Sequence, residues 1–141
     1  MKKFRFNVRV YGLWSDNGKV LVSRETVLGQ SILKFPGGGL DFGEGLREGL
    51  TREWQEELNV PIAVNNHFYT TDYFQPSAWD DSQIISVYYE VSPLVPLVLP
   101  FNNGQEQFDW LPVDARMAER LTLPIDKVVG EMLWEQQTGQ K

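Results

Sequence analysis

The chain begins with an alternation of apolar and polar residues, which is the period of a half-buried strand. Over residues 4–14 the apolar set is Phe4, Phe6, Val8 and Val10, and the intervening set is Arg5, Asn7, Arg9 and Tyr11. Asp16-Asn17-Gly18 then predicts a hairpin turn, because asparagine and glycine accept the positive φ that tight turns require. Residues 19–25 predict the second strand.

The hydrophobic period changes from two to about 3.6 after the glycines at 37–39. The apolar stripe consists of Leu46, Leu50, Trp54 and Leu58. It predicts a helix from about Gly45 to Leu58, with Gly45 as N-cap and Glu48 three positions later, as in a capping box. Asn59 suits the left-handed position that ends a helix, and Pro61 prevents its continuation.

The remaining segments mix strands and helices. We predict a loop at 26–34, strands near 62–74 and 83–92, a proline-rich loop or edge at 92–104 and a short helix near 113–120. A last helix follows, because Ile125, Val128, Val129, Met132 and Leu133 share one face. No repeat or linker interrupts this order, so the pattern predicts one α/β or α+β domain over residues 1–141.

Composition and charge narrow the classes of function. A chain of 141 residues suits one domain, and its lack of cysteine excludes disulfides and thiolate metal sites. The net charge of -6 argues against binding to long nucleic acid, which requires a basic surface. No segment has the features of a signal peptide or of a membrane span. We therefore expect a soluble, cytoplasmic protein without a membrane partner.

The predicted helix carries an unusual group of carboxylates. Glu53, Glu56 and Glu57 fall within an arc of roughly 100°, beside the apolar stripe rather than opposite it. Unpaired charge is costly there, which indicates a bound hard cation such as Mg²⁺. Arg52 lies four positions before Glu56 and can hold its carboxylate. An acidic helix taken alone is more often a solvated surface helix, and that alternative stays open for the three glutamates by themselves.

The glycines before the helix suggest the same site. Gly37, Gly38 and Gly39 allow a backbone carbonyl to approach an ion or a ligand. Gly43-Glu44 brings a fourth carboxylate to the start of the helix. We expect a loop followed by a helix, with the oxygen ligands on one side.

The segment from Gly38 to Val60 resembles the Nudix box, G-x5-E-x7-R-E-U-x-E-E-x-G-U, in which U is a bulky apolar residue. The positions in register are Gly38, Glu44, Arg52, Glu53, Trp54, Glu56, Glu57 and Val60. The departure is Asn59, where the family usually has glycine; asparagine also adopts the left-handed conformation. The resemblance implies an α/β fold with a mixed β-sheet sandwiched between helices.

The resemblance also implies the activity. Nudix hydrolases cleave nucleoside diphosphates linked to another group, using Mg²⁺ with Mn²⁺ as an alternative. We place a nucleoside triphosphate, oxidised or ordinary, first among the small-molecule substrates, followed by ADP-ribose and nucleotide sugars. A non-catalytic nucleotide-sensing Nudix module and an acidic protein-interaction domain are the competing functions. Both a monomer and a homodimer are compatible with the sequence.

By position in the motif, the resemblance implies the roles of individual residues. The expected metal ligands are Gly38, Glu44, Glu53, Glu56 and Glu57. The expected catalytic residues are Arg52, Glu53, Glu56 and Glu106. Glu53 is the first choice as general base. Glu106, in a glycine-containing loop four residues before Trp110, is the candidate for a later acid, although an ordinary loop glutamate fits equally well, and Glu90 is its runner-up.

The sequence gives weaker support for a functional role of the remaining candidate residues. Gly37, Gly39 and Arg24 are expected to contact the ligand, although a surface role for Arg24 fits equally well. We expect His67 to be structural. We also expect Tyr73, Phe74 and Trp79 to be buried in a small cluster rather than to stack on a base.

Overall fold

The computed structural model describes residues 4–139, which form nine strands and three helices. The strands are β1 (Arg5–Leu13), β2 (Ser15–Asp16), β3 (Lys19–Val27), β4 (Gln30–Lys34), β5 (Gly37–Gly39), β6 (Ile62–Thr70), β7 (Ser82–Pro93), β8 (Phe101–Asn102) and β9 (Glu106–Pro112). The helices are α1 (Leu46–Leu58), α2 (Met117–Arg120) and α3 (Pro124–Thr138).

The strands form two sheets. The first has the order β5-β1-β7-β6, and it is mixed because β1 runs parallel to β7 while the other pairs are antiparallel. The second is antiparallel, with β3 paired to β2, β4 and β9 and with β8 at the far side of β9. Both β1 and β3 therefore have neighbours on two sides.

Successive residues of the central strands point to opposite sides, and each side is covered by a helix. Val10 and Leu21 pack in one cluster with Leu50, Trp54 and Leu58 of α1. Their neighbours Tyr11, Val20 and Val22 pack in the other cluster, with α2 and α3. The sheets thus lie between helices, which confirms the predicted α-β-α sandwich.

Gly12 allows α1 to lie close to β1. A Cβ at this position would lie 2.7 Å from Nε1 of Trp54, whose ring is fully buried. A side chain on residue 12 would therefore push the indole away from the sheet, together with the helix that carries it.

Helix α1 and its ends agree with the sequence prediction. Gly45 is the N-cap, and its N–H donates to Oε1 of Glu48 at 2.8 Å. Asn59 is left-handed at φ 56° and ψ 37°, and its N–H donates to the carbonyl of Gln55 at 3.1 Å. The helix boundaries and the reading of Asn59 as a left-handed cap are confirmed.

The predicted loop at 26–34 is wrong. Strand β3 continues to Val27, and β4 pairs with it across a turn at Leu28 and Gly29. Leu28 has a positive φ of 50°, a conformation that a branched residue adopts only where strand pairing imposes it. Apart from Gly29, this turn contains no residue that usually indicates a turn, such as asparagine or proline, so the sequence did not predict the hairpin.

The glycine stretch forms a strand rather than a flexible loop. Gly37, Gly38 and Gly39 pair with Tyr11, Val10 and Arg9 of β1 in antiparallel register. Gly37 has a φ of +152°, and a Cβ there would collide with the carbonyl oxygen of Val10. Glycine is needed here because the two backbones approach closely.

The predicted strand at 4–14 is observed as β1, but its apolar side is not buried throughout. Phe4 is 81% exposed and Phe6 is 66% exposed, whereas Val10 and Tyr11, on opposite sides, are both buried. Only the second half of β1 lies between the helices, and there both faces are covered. Alternation alone could not indicate this difference.

The other elements lie close to their predicted positions. β7 and α3 correspond to the predicted strand near 83–92 and the last helix, α2 falls within 113–120, and β8 is a short edge within 92–104. β6 stops at Thr70, four residues earlier than predicted, and the chain beyond it keeps only separate contacts with β7 among the described residues, such as the bridge between Pro76 and Gln83. No helix within residues 4–139 is long and apolar enough to cross a membrane.

Candidate active site

Arg52 of α1 gathers the carboxylates of the site. Its Nη2 donates to Oε1 of Glu44 at 2.6 Å and to the carbonyl of Gly39 at 3.0 Å. Its Nη1 donates to Oε1 of Glu53 and to Oε1 of Glu56, each at 3.1 Å. One guanidinium therefore fixes the end of β5, the residue before the helix cap and two helix carboxylates relative to one another.

Glu44 is bound to Arg52 as a bidentate partner. Nε of Arg52 donates to its Oε2 at 3.0 Å, and the N–H of Asp41 donates to its Oε1 at 2.8 Å. The hydrogen bond from Arg52, followed by that from Asp41, lowers the pKa of Glu44 to about 2. Glu44 is therefore ionised at neutral pH, and it orients Arg52. Its predicted role as a metal ligand stays a prediction.

Glu53 lies directly against the backbone of β5. A Cβ added to Gly38 would lie 2.5 Å from Oε2 of Glu53, so any other residue at 38 would displace this carboxylate. Gly38 is thus explained by close approach rather than by a special backbone conformation. The carbonyl of Gly39 is already used by Arg52.

Glu57 is the most perturbed acid of the site. Burial, then the charge of Glu106 and the hydrogen bond with Glu53, raises the pKa of Glu57 to about 9. Its Oε1 is buried without a hydrogen-bond partner among residues 4–139, a condition shared there only by Nε1 of Trp54. A buried polar atom without a partner costs about 1–3 kcal/mol, and more if it is charged. Oε1 of Glu57 is therefore available to bind a ligand.

Glu106 comes to the same place from β9, at its first residue rather than in a loop as predicted. It is 7% exposed, and the hydroxyl of Ser23 donates to its Oε2 at 2.5 Å. Nζ of Lys34 lies 3.8 Å from the same oxygen and 2.8 Å from Oε1 of Glu25. The structure thus brings Glu106 beside Glu57, whose pKa it helps to raise.

Sequence analysis missed Ser23, Glu25 and Lys34. Ser23 and Glu25 alternate on β3, and Glu25 lies opposite Glu106 in the ladder between β3 and β9. Polar residues inside an otherwise apolar strand can indicate a functional site, but nothing in the sequence indicated which strand would pair with β3.

The residues present fit a hard divalent cation in their chemistry. All candidate ligands are oxygens, which Mg²⁺ prefers, and Oε1 of Glu57 is buried without a partner. Within residues 4–139, however, no three acidic or histidine side chains already converge on a point where a metal ion could be held. Glu53 and Glu56 are instead turned towards Arg52. The predicted binding of a metal ion by Glu53, Glu56 and Glu57 stays a prediction.

The structure also contains a cavity with aromatic walls, which was not predicted. We call it the aromatic cavity; its walls include Tyr11, Trp79, Ile84, Tyr88 and Leu123. Asp126, fully buried near the start of α3, also lines it. Oδ1 of Asp126 accepts from the hydroxyl of Tyr88 at 2.5 Å, and Oδ2 accepts from the N–H of Phe35 at 3.3 Å. Burial raises the pKa of Asp126 to about 6, although these hydrogen bonds oppose the shift.

Two other predicted candidates do not join the carboxylates. Arg24 is exposed, and its side chain lies on the face of β3 opposite to Ser23. Its Nη1 donates to the hydroxyl of Ser31 at 3.4 Å, so the surface alternative describes its present contacts. Glu90 lies within β7 opposite Leu13.

The aromatic residues between β6 and β7 are not buried as predicted. Tyr73, Phe74 and Trp79 are all exposed, and the chain here pairs with the start of β7 at Pro76 and Gln83, which extends the sheet instead of covering it. Trp79 nevertheless lines the aromatic cavity. His67 pairs with the hydroxyl of Thr70 at 2.7 Å, in keeping with its predicted structural role.

Comparisons with known proteins show the family and the fold. The model of the NUDIX domain family matches residues 3–131. A NUDIX hydrolase from Nitrosomonas europaea is 18% identical, with a TM-score of 0.75 over 94% of this chain and 90% of its own. The MutT protein from Methanosarcina mazei Go1 is 17% identical, with a TM-score of 0.75 over 100% of both chains. The E. coli ORF135 protein is 20% identical, with a TM-score of 0.73 over 91% of this chain and 88% of its own. At these identities the solved structures show a shared fold.

Proposed function

The chain belongs to the Nudix family and is a pyrophosphohydrolase, and we propose that its substrate is a nucleoside triphosphate, oxidised or ordinary. The products are a nucleoside monophosphate and inorganic diphosphate. The observation that carries this proposal is the buried Glu57, whose unpartnered oxygen lies near the carboxylates of Glu53 and Glu106. These carboxylates suit a cation and a phosphate chain, and the aromatic cavity suits a nucleoside.

We assign the metal ligands to Glu53, Glu56 and Glu57, with Glu44 and the carbonyl of Gly38 at the edge of the site. Bound Mg²⁺, or Mn²⁺ in its place, would lower the pKa of water and neutralise charge on the phosphates. Without a cation the folded protein keeps a proton on Glu57, and a bound cation would take the place of that proton. Arg52 contributes by restraining Glu44 and the end of β5, so that the carboxylates stay close together.

The reaction joins a water oxygen to one phosphorus and breaks the anhydride bond to the next. Glu53 is our candidate for the base that accepts the water proton. Glu106 is the alternative, since the hydroxyl of Ser23 and the ammonium of Lys34 hold its carboxylate close to Glu57. The diphosphate group leaves with the bridging oxygen.

The decisive experiment is hydrolysis of a panel of nucleoside triphosphates, ADP-ribose and nucleotide sugars, with and without Mg²⁺. We expect Mg²⁺-dependent release of a monophosphate, with a triphosphate as the best substrate. Saturating Mg²⁺ should also raise Tm, because a ligand that binds the native state stabilises it. If millimolar Mg²⁺ or Mn²⁺ leaves both Tm and product formation unchanged, the metal site is wrong.

A matched set of variants separates a catalytic cluster from an acidic surface. Glu53→Gln and Glu57→Gln keep the size of the side chain but remove a ligand charge, and each should lower kcat by about a thousandfold. Glu48→Gln is the control, since Glu48 is exposed on the same helix and contacts the N–H of Gly45. It should change kcat by less than about threefold. Equal activity of Glu57→Gln and Glu48→Gln would remove the basis of the proposal.

A further inference from the structure

Arg9 of β1 has donors left over for a ligand. Its Nε donates to the hydroxyl of Tyr11 at 2.6 Å, and its guanidinium carbon lies 5.7 Å from the centre of the Tyr11 ring. No hydrogen bond from Nη1 or Nη2 to another part of residues 4–139 accompanies this contact. A guanidinium has five N–H donors, so Tyr11 fixes its position while most of its donors stay available.

Lys34 of β4 is a second cation, and it lines the same cavity as Arg9. This cavity has a volume of about 180 Å³, lies next to the aromatic cavity and is also lined by Tyr11 and Trp79. Its ammonium is 2.8 Å from Oε1 of Glu25 and 3.8 Å from Oε2 of Glu106. Burial lowers the pKa of Lys34, but the hydrogen bond to Glu25 and the charge of Glu106 raise it above its usual value. Lys34 is therefore charged at neutral pH.

Arg9 lines both the aromatic cavity and the cavity that it shares with Lys34, and the ammonium of Lys34 lies 3.8 Å from Oε2 of Glu106 in the acidic site. Burial lowers the pKa of Arg9, but Tyr11, Glu53 and Asp126 together raise it above its usual value. Glu53 belongs to the acidic site and Asp126 to the aromatic cavity, so Arg9 is within electrostatic reach of both. The charge of Lys34 likewise acts on Glu57 and on Asp126.

This arrangement of an aromatic cavity, two cations and a group of carboxylates suits a molecule in which an organic group carries a phosphate chain. An organic group in the aromatic cavity and a phosphate chain at the carboxylates leave the first phosphate of the chain beside the cations. Arginine suits this position, because its planar donors bind phosphate oxygens in pairs.

We propose that Arg9, with the charge of Lys34 behind it, binds the phosphate that stays attached to the organic group, and so selects nucleoside 5′-phosphoanhydrides over inorganic pyrophosphate and polyphosphate. The inference rests on the proposed function, because it places the cleaved anhydride bond immediately beyond this phosphate. A nucleoside monophosphate product would keep its contact with Arg9 after cleavage. It should therefore bind to the protein without metal.

The test measures binding and turnover separately. Calorimetric titrations in EDTA use the four common nucleoside monophosphates, the matching nucleosides and inorganic phosphate as probes. The proteins are the wild type, Arg9→Gln, Arg9→Lys and Arg5→Gln. Arg5 is a matched control on the same strand and side, since it is exposed and pairs with Asp80 at 3.4 Å, away from both cavities.

We expect the best monophosphate to bind the wild type at least about tenfold more tightly than its nucleoside. Arg9→Gln should lose about tenfold or more of that advantage without changing nucleoside binding, and Arg9→Lys should keep part of it. On the best triphosphate, Arg9→Gln should raise KM about tenfold and change kcat by less than about threefold, since the contact is made equally before and during reaction. Arg5→Gln should match the wild type throughout.

Several outcomes would overturn the proposal. Wild-type affinity of Arg9→Gln for monophosphates would exclude Arg9 from the phosphate site, and so would a wild type that prefers nucleosides or binds inorganic phosphate equally well. Hydrolysis of the panel by the wild type decides the proposed function independently. Active enzyme with no effect of Arg9 refutes only this inference, whereas inactive but folded wild type refutes the proposed function.

Discussion

The buried Glu57 makes stability depend on pH in a way that one substitution should remove. Its pKa is about 9 in the folded protein, against an ordinary value of 4.5. Between these values the folded state holds a proton that the unfolded state has released, so the free energy of unfolding falls as pH rises. The stabilising contribution is complete below about pH 4.5 and is lost on approaching pH 9.

The size of the effect follows from linkage. One proton changes the free energy of unfolding by at most about 1.4 kcal/mol per pH unit. Between pH 6 and 8 the wild type should therefore lose up to about 3 kcal/mol relative to Glu57→Gln, a difference in Tm of roughly 5 to 10 °C. Glutamine has the same shape and carries no titrating proton.

The assay is urea unfolding of the wild type, Glu57→Gln and Glu48→Gln in EDTA at closely spaced pH values. Glu48→Gln should show the slope of the wild type, because Glu48 is exposed and outside the buried group. Adding Mg²⁺ should reduce the loss in the wild type at high pH, since a bound cation favours the ionised carboxylate. A Glu57→Gln curve parallel to that of the wild type from pH 6 to 8 would refute the account of Glu57.

Three further predictions concern the groups that hold the site together. Arg52→Lys keeps the charge but cannot hold Glu44 and its neighbours at once, so kcat should fall about a hundredfold or more in steady-state assays while the protein stays folded; unchanged kcat would contradict the role given to Arg52. Gly38→Ala places a methyl group 2.5 Å from Oε2 of Glu53, so kcat should fall at least about tenfold. Gly29→Ala is the control: it has open space around it but a positive φ, so the substitution should affect Tm more than kcat. Asn59→Gly should change the free energy of unfolding by less than about 0.5 kcal/mol and leave kcat intact, because position 59 needs only a left-handed backbone; a large loss of kcat would show that the side chain takes part.

The Nudix resemblance could be found in the sequence because its residues are linked by local rules. Within one helix, side chains three and four positions apart must share a face, so the carboxylates of α1 could be grouped without knowledge of the fold. The ends of α1 were equally local, since Gly45 and Asn59 need only backbone conformations that their residue types favour.

The sequence did not predict β4 or β5, because strand pairing overruled local preference there. Glycine and a turn at Leu28 argue against strands when only neighbours in the chain are considered. The partner strands supply the hydrogen bonds, and β1 in addition requires glycine for its close approach to β5. Neither contribution is visible from residues 26–39 alone.

Tertiary structure alone decided which distant residues complete the site. Ser23 and Glu106 are 83 positions apart, and only the register between β3 and β9 brings them into contact. Arg9 was predicted as an ordinary polar residue of a half-buried strand, but the covering of both faces of β1 turned it into a cation at a cavity wall. The sequence determined the helix and the group of carboxylates that it carries, because a helix repeats every few residues. The surroundings of those carboxylates depend on contacts between strands far apart in the chain, and such contacts exist only once the two sheets have packed between the helices.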